Sequence, residues 1–400
     1  MSKLKLQELD LKGKKVLMRV DFNVPMNKDA TIADDTRIKE SLPSIQYILK
    51  NGGSAILMSH LGRPKAPDPK LSLAPCAKAL SAYLGFPVLM ADDCVGEKVE
   101  KMAKELKPGQ VLLLENLRFY PAEEKPSQDP SFAKKLASLG DVYVNDAFGA
   151  AHRSHSSTAT ITQYFPGKAA AGLLIQKEIE QLSPLLKPKK PFYAIIGGAK
   201  ISTKLGVLKS LISKAEGIFI GGGMAFTFFL AQKMKIGASL HEEDQVPAAA
   251  DFLKECREKN VACWLPKDLI IADAFRDDAK SKRILSTDGI PDGWQGMDIG
   301  PQTLEEWGKA LQNGAVVFWN GPLGVFEFPH FAKGTEGIAK ILSSLNAVTV
   351  VGGGDSVSAI NKLGLNSSFS HISTGGGAAL EFIEYGRLPG IDALSDSGNA

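Results

Sequence analysis

Read from Lys14 onward, short apolar runs alternate with stretches in which apolar residues recur at every third or fourth position. Residues 16–22, 55–59, 111–115 and 142–144 have the nearly continuous apolar character of strands buried on both faces. Residues 38–49, 74–84, 95–106 and 132–139 carry the helical period. Such a βαβ array predicts a mostly parallel sheet covered by helices, with ligands beyond the carboxyl ends of its strands. Residues 173–182 then read as an amphipathic helix, and Lys187-Pro188-Lys189-Lys190-Pro191 forbids its continuation because proline has no N–H to give. A second array follows, with strands expected at 192–196, 218–220, 261–265, 316–319, 348–351 and 370–373. The fold class is therefore α/β in two domains, with the boundary between residues 173 and 190.

Polar chemistry collects at the ends of these runs. In the first half they are Arg19-Val20-Asp21-Phe22-Asn23, Ser59-His60-Leu61-Gly62-Arg63, Glu115-Asn116-Leu117-Arg118 and Asn145-Asp146, the last followed by His152-Arg153-Ser154-His155. The first 172 residues hold only Arg19, Arg37, Arg63, Arg118 and Arg153, each at a strand end or helix start, while lysine dominates elsewhere. Arginine's planar fork binds phosphate or carboxylate through two bonds at once, so this sorting points to an anion site. Arg19, within a strand beside Asp21, reads instead as half of a structural ion pair. His60, His152 and His155 share the basin, where anion ligation is favoured over general base chemistry.

Glycine marks the second half. Gly197-Gly198, Gly221-Gly222-Gly223, Gly321, Gly352-Gly353-Gly354 and Gly375-Gly376-Gly377 follow strands. Two of these triplets precede helix-like segments, whose free N–H groups and dipole favour phosphate. Lys200 and Lys204, four apart after a glycine turn, are expected on one face of a helix start. Asp355 suits Mg²⁺ as a hard oxygen ligand, and Glu327 suits ribose hydroxyls. No G-x-x-x-x-G-K-[ST] or complete G-x-G-x-x-G is present, which excludes a P-loop and a dinucleotide fingerprint.

The 400-residue length supports two domains, and the formal charge of +3 gives no reason to expect nucleic acid. No apolar run reaches the roughly 18 residues of a membrane span, and the amphipathic first ten residues do not read as a signal peptide. Four cysteines without C-x-x-C spacing are expected to be reduced thiols.

In this order the motifs resemble the phosphoglycerate kinase family, from Arg19-Val20-Asp21-Phe22-Asn23-Val24-Pro25 to Leu388-Pro389-Gly390. The resemblance implies two Rossmann-like domains at 1–172 and 191–384, a hinge helix over 173–190, and return of residues 385–400 to the first domain. It implies reversible transfer of the acyl phosphate of 1,3-bisphosphoglycerate to ADP, giving 3-phosphoglycerate and ATP. Mg²⁺ is the implied cofactor, in a cytoplasmic monomer without nucleic-acid or membrane partners. The triose phosphate is implied on Asp21, Phe22, Asn23, Arg37, His60, Leu61, Gly62, Arg63, Arg118 and Arg153. Arg37, Lys200 and the N–H groups of Gly375 and Gly376 flank the phosphoryl group in transit. Lys204, Asn320, Gly353, Gly354 and Ser356 hold nucleotide phosphates, Asp355 the metal, Glu327 the ribose, and Gly221, Gly222 and Gly296 the adenine side. Thr203 and Lys267 depart from the family pattern, and the polar stretch 121–130 reads as a variable loop. The alternatives are another nucleotide-dependent carboxylate kinase or a non-catalytic nucleotide-binding protein.

Overall fold

The computed structural model describes Ser2–Gly398; Met1, Asn399 and Ala400, inside the expected domain bounds, lie outside the described residues. The chain divides into two compact units, one running up to Glu180 and resuming at Arg387, the other formed by Gln181–Gly386.

The first unit contains β1 (Lys15–Arg19), α1 (Thr36–Lys50), β2 (Ser54–Met58), α2 (Ala74–Leu84), β3 (Leu89–Met90), α3 (Glu97–Glu105), β4 (Val111–Leu113), α4 (Ser131–Ala137), β5 (Val142–Asn145), β6 (Ala169–Ala171) and the start of α5 (Leu173–Leu182). Its six strands pair in parallel in the order β3-β4-β2-β1-β5-β6. Val16 and Met18 of β1 pack with Ile38, Ile45 and Ile48 of α1 in one buried cluster. β1 ends at Arg19, three residues before the apolar run does, because the Ser59 hydroxyl takes the Phe22 N–H in place of a ladder carbonyl. Burial without pairing explains the difference. The C-terminal segment packs on this unit: Leu4 N–H donates to Ser395 O at 2.8 Å, and Asn145 Nδ2 donates to Gly390 O at 3.0 Å.

The second unit contains β7 (Phe192–Ile196), α6 (Leu205–Ile212), β8 (Gly217–Ile220), α7 (Met224–Ala231), α8 (Val246–Glu258), β9 (Ala262–Trp264), β10 (Asp268–Ala272), β11 (Ser281–Leu285) and β12 (Gln295–Ile299). It continues through α9 (Pro301–Leu311), β13 (Val316–Asn320), α10 (Lys333–Ser343), β14 (Val348–Gly352), α11 (Gly354–Leu363), β15 (His371–Ile372) and α12 (Gly377–Tyr385). A parallel sheet runs β15-β14-β13-β7-β8-β9, beside an antiparallel sheet of order β11-β10-β12. β11 and β12 of the antiparallel sheet escaped the hydrophobic pattern because Ser281-Lys282-Arg283-Ile284-Leu285 and Gln295-Gly296-Met297-Asp298-Ile299 are half polar, whereas β10, apolar at four of its five positions, carried the signal. β3 and β6 escaped it because one has two residues and the other only alanines.

Candidate active site

In the first unit the parallel register brings the carboxyl ends of β1, β2, β4 and β5 to one edge of the sheet. Arg37, in the first turn of α1, donates to the Asp21 carboxylate at 2.8 Å. Burial opposes the charge on Asp21, but Arg37 and Arg19, with the Asn23 N–H, outweigh it and hold the carboxyl below its usual range. Asn23 Oδ1 accepts the Gly62 N–H at 2.8 Å, and Arg118 NH1 donates to Gly62 O at 2.8 Å, so the loops after β1, β2 and β4 are tied together. Arg118 also meets Glu124 at 3.0 Å, while its Nε is buried with no partner. Arg63 and Arg153 are exposed and, among the described residues, have no ion-pair partner. Uncompensated guanidinium groups beside a buried unsatisfied N–H make an electropositive rim with bonds left to give.

Phe22 and Leu61 are core residues with occupied backbone groups. Phe22 N–H is held by Ser59, its carbonyl accepts from Val24 N–H, and both backbone groups of Leu61 are bound by the buried Asn116 side chain. Asn116, not among the expected ligand contacts, fixes the β2 loop.

Arg19 is wholly buried beneath this rim. Its ion-pair partner is Glu123, 3.8 Å away, rather than Asp21, whose carboxylate is taken by Arg37. His155 lies 3.9 Å from the same Glu123. Burial first, then neighbouring arginines, push His155 down to about 3 and His152 to about 4, and hold His60 well below its ordinary value. These rings are therefore neutral at pH 7, able to donate one N–H but not to supply charge.

The second unit holds a cavity of ≈ 500 Å³ at the carboxyl ends of its parallel strands, walled partly by β12 of the antiparallel sheet. Gly222, Gly223, Gly296, Glu327 and Asp355 line it. Gly296 is required there because a Cβ would lie 2.0 Å from the Phe226 ring. Gly221 does not line it, and a Cβ there would meet Leu323 at 2.6 Å. Several glycines after these strands also serve backbone packing. A Cβ on Gly197 would strike Pro322 O, and one on Gly222 would lie 2.6 Å from Gly198 N, because the loops after β7, β8 and β13 touch main chain to main chain. Asp298, also passed over in the sequence, is buried at the cavity wall, pushed up to about 8 by desolvation, and accepts the N–H groups of Gly334 and Ile299.

Next to Gly198 of the cavity lining, Lys204 Nζ donates to Asn320 Oδ1. Asn320 Nδ2 is buried without a partner beside Gly353, whose φ of +94° caps α11. Burial, opposed by Asp355, pushes Lys204 down to about 8. The Ser356 hydroxyl accepts the Gly321 N–H at 2.7 Å. Free N–H groups in the first turn of α11, an ammonium and an orphaned amide together form an anion cradle.

Lys200 and Lys204 do not share a helix face. Residues 201–204 form a turn closed by Lys204 N–H to Ile201 O at 2.8 Å, and α6 begins only at Leu205. Glu242 binds both the N–H and the hydroxyl of Ser202, and Thr203 donates to Lys200 O, which hold the turn open. Lys200 is left exposed, whereas Lys204 folds inward. Before α12, the Gly375 N–H is already taken by Ser373 Oγ at 3.1 Å, while Gly376 caps the helix with φ +53°.

The fold and these two anion-binding regions define a two-unit α/β phosphotransferase. The chain belongs to the phosphoglycerate kinase family, whose model, "Phosphoglycerate kinase", matches residues 6–386. It is 52% identical over 396 residues to the cytosolic phosphoglycerate kinase of Triticum aestivum, covering 98% of each chain. It is 52% identical over 398 residues to that of Moorella thermoacetica, covering 99% of this chain and 100% of the relative. The solved structure of phosphoglycerate kinase from Coxiella burnetii superposes with a TM-score of 0.85 at 38% identity, covering 98% of both chains. The chain is accordingly an enzyme, a kinase moving phosphate to or from a carboxylate.

Proposed function

We propose that the chain transfers the acyl phosphate of 1,3-bisphosphoglycerate to ADP and, in reverse, the γ-phosphate of ATP to the carboxylate of 3-phosphoglycerate. The observation that carries this reading is the pairing of an arginine rim in the first unit with a nucleotide-sized cavity in the second. Arg63, Arg118 and Arg153, with Asn23 and His60, take the phosphate and carboxyl of the triose. Lys204, Asn320 and the first turn of α11 take the nucleotide phosphates, and Glu327 the ribose.

In the forward direction an ADP phosphate oxygen attacks the acyl phosphorus, and the P–O bond to the acyl carbon breaks. The electron pair stays on the departing carboxylate. The nucleophile is already ionised in either direction, so no general base is needed and the work is alignment and charge neutralisation. Arg37 and Lys200 supply the cations for the phosphoryl group, and the Gly376 N–H a donor to it. The two bound ligands must come within bonding distance with water excluded, so the reaction includes a closing motion of the units about the segment at 173–190.

Asp355 fits Mg²⁺ as a single protein ligand. Its carboxylate reaches the cavity, and among the described residues no group of three or more His, Cys, Asp or Glu could hold a metal. Such a site suits a cation that takes most of its oxygens from water and phosphate. Bound there, Mg²⁺ would neutralise phosphate charge.

No helix among the described residues is long and apolar enough to cross a membrane. A cytosolic monomer that binds only its small substrates completes the proposal, the wheat relative's cytosolic name supporting its place and analytical ultracentrifugation testing its state. A coupled assay of Mg-ATP with 3-phosphoglycerate against other carboxylates tests the substrate assignment. Turnover confined to 3-phosphoglycerate is expected; equal turnover of unphosphorylated carboxylates would overturn it.

A further inference from the structure

His60 Nδ1 lies 3.0 Å from Arg19 NH2, and both side chains are buried. A guanidinium carries five donors and no acceptor, and it does not deprotonate in proteins. The ring nitrogen facing it must therefore accept, which leaves the imidazole its one proton on Nε2. An Nδ1–H tautomer or an imidazolium would set donor against donor, the latter also charge against like charge.

The guanidinium cannot turn away from this task. Its Nε donates to Ser157 Oγ at 2.8 Å and its NH1 to the Val20 carbonyl. Ser157 in turn donates from Oγ to Glu123 Oε1 at 2.5 Å and from its N–H to Oε2 at 3.0 Å, while Tyr143 OH clamps the Ser157 carbonyl at 2.7 Å. Glu123 supplies the counter-charge. Each of the three guanidinium nitrogens thus has a buried hydrogen-bond partner, and these bonds hold NH2 aimed at His60.

We propose that Arg19, which need touch no ligand, is a positioning residue that locks His60 as the neutral Nε2–H tautomer, so that the basin offers the bound triose a single N–H donor from this ring. The inference rests on the reading of the basin as the triose phosphate site. It separates His60 from an ordinary histidine, whose donor pattern changes as it titrates near pH 6.5. Burial, then Arg19, with smaller contributions from Arg118 and Arg37 against the opposing pull of Asp21, act in the same direction by disfavouring the imidazolium. Together these keep the donor unchanged across neutral pH, and with it the contribution of this ring to triose affinity.

The test is long-range ¹H–¹⁵N correlation on the full chain labelled with ¹⁵N-histidine, the His60 signals identified by their loss in His60→Gln. Between pH 5.5 and 8, without ligand, His60 should show a protonated Nε2 and an unprotonated Nδ1. A protonated Nδ1, a tautomer mixture or titration near pH 6.5 in the unmodified protein overturns the lock, whatever the variants do. Arg19→Met should release the ring to a mixture, give it a measurable titration, and introduce pH dependence into 3-phosphoglycerate affinity near pH 6–7; an unchanged tautomer denies Arg19 its role. Adding 3-phosphoglycerate to the unmodified protein should shift Nε2 alone. A locked ring indifferent to 3-phosphoglycerate refutes the basin assignment and the donor role with it, whereas ligand binding to a ring protonated on Nδ1 refutes the lock and leaves the basin assignment standing.

Discussion

Arg37 NH1 and Asp21 Oδ2 meet at 2.8 Å, an ion pair joining the first turn of α1 to the end of β1. The guanidinium is one-third exposed and the carboxylate nearly buried, so Asp21 orients Arg37 more than it neutralises a surface. A charge-assisted bond of this kind contributes roughly 1.5–3 kcal/mol, about one to two powers of ten in a rate or affinity. Asp21→Asn should therefore lower kcat/KM for 3-phosphoglycerate by at least about tenfold while leaving KM for ATP within about twofold. Steady-state kinetics in the ATP-consuming direction decide this, and unchanged kcat/KM would deny Asp21 the orienting role.

Lys200 is exposed and, among the described residues, has no ion-pair partner, as a cation held in reserve for a phosphoryl group should be. Lys200→Ala should lower kcat by about 10³, the scale of losing a transition-state cation, with ADP affinity little changed. A loss of tenfold or less by stopped-flow or steady-state assay would remove Lys200 from the chemistry.

Lys204 bears on pH. With its ammonium pushed down to about 8, the cation is present below that pH and lost above it. Because kcat/KM reports the free enzyme, its value for Mg-ATP should fall as pH rises through about 8. Lys204→Arg, which does not titrate in this range, should remove that limb of the profile. A limb that survives the substitution belongs to another group.

Asp146 is wholly buried, accepts the Leu174 and Ile175 N–H groups on Oδ1, and leaves Oδ2 without a hydrogen-bond partner. Burial raises its carboxyl from 3.8 to about 7, so between those values the folded chain holds a proton that the unfolded chain has lost. Stability from this group is full below 3.8, declines as pH rises, and is gone above about 7. Asp146→Asn keeps an acceptor and carries no charge to bury. Its stability relative to the unmodified protein should rise by on the order of 2–3 kcal/mol between pH 5 and pH 8 in urea unfolding. A difference that does not change with pH would show that Asp146 is ionised in the fold.

The parallel sheets were legible in the sequence because both faces of each strand are apolar, and the rim arginines because arginine is confined to strand ends. What was hidden depends on contacts remote in sequence. Arg19 reads as a neighbour of Asp21, yet pairs with Glu123, more than a hundred positions away. Lys200 and Lys204 have helical spacing, but Glu242, forty positions from Ser202, holds that stretch in a turn. Gly221 and Gly222 look alike in the chain, yet of the two only Gly222 lines the cavity, which depends on how the loops after β7, β8 and β13 pack. Glu115 and Asn116 were read as a strand end, without sign that Asn116 would anchor Leu61 through both backbone groups.

The central claim is a division of labour, triose on the first unit and nucleotide on the second. Isothermal titration of 3-phosphoglycerate and of Mg-ADP into Arg63→Ala and Arg153→Ala tests it most directly. These arginines have no ion-pair partner among the described residues, so their loss leaves no buried charge behind. Each substitution should weaken 3-phosphoglycerate binding by about tenfold or more and leave ADP binding within about twofold. Equal weakening of both ligands would contradict it.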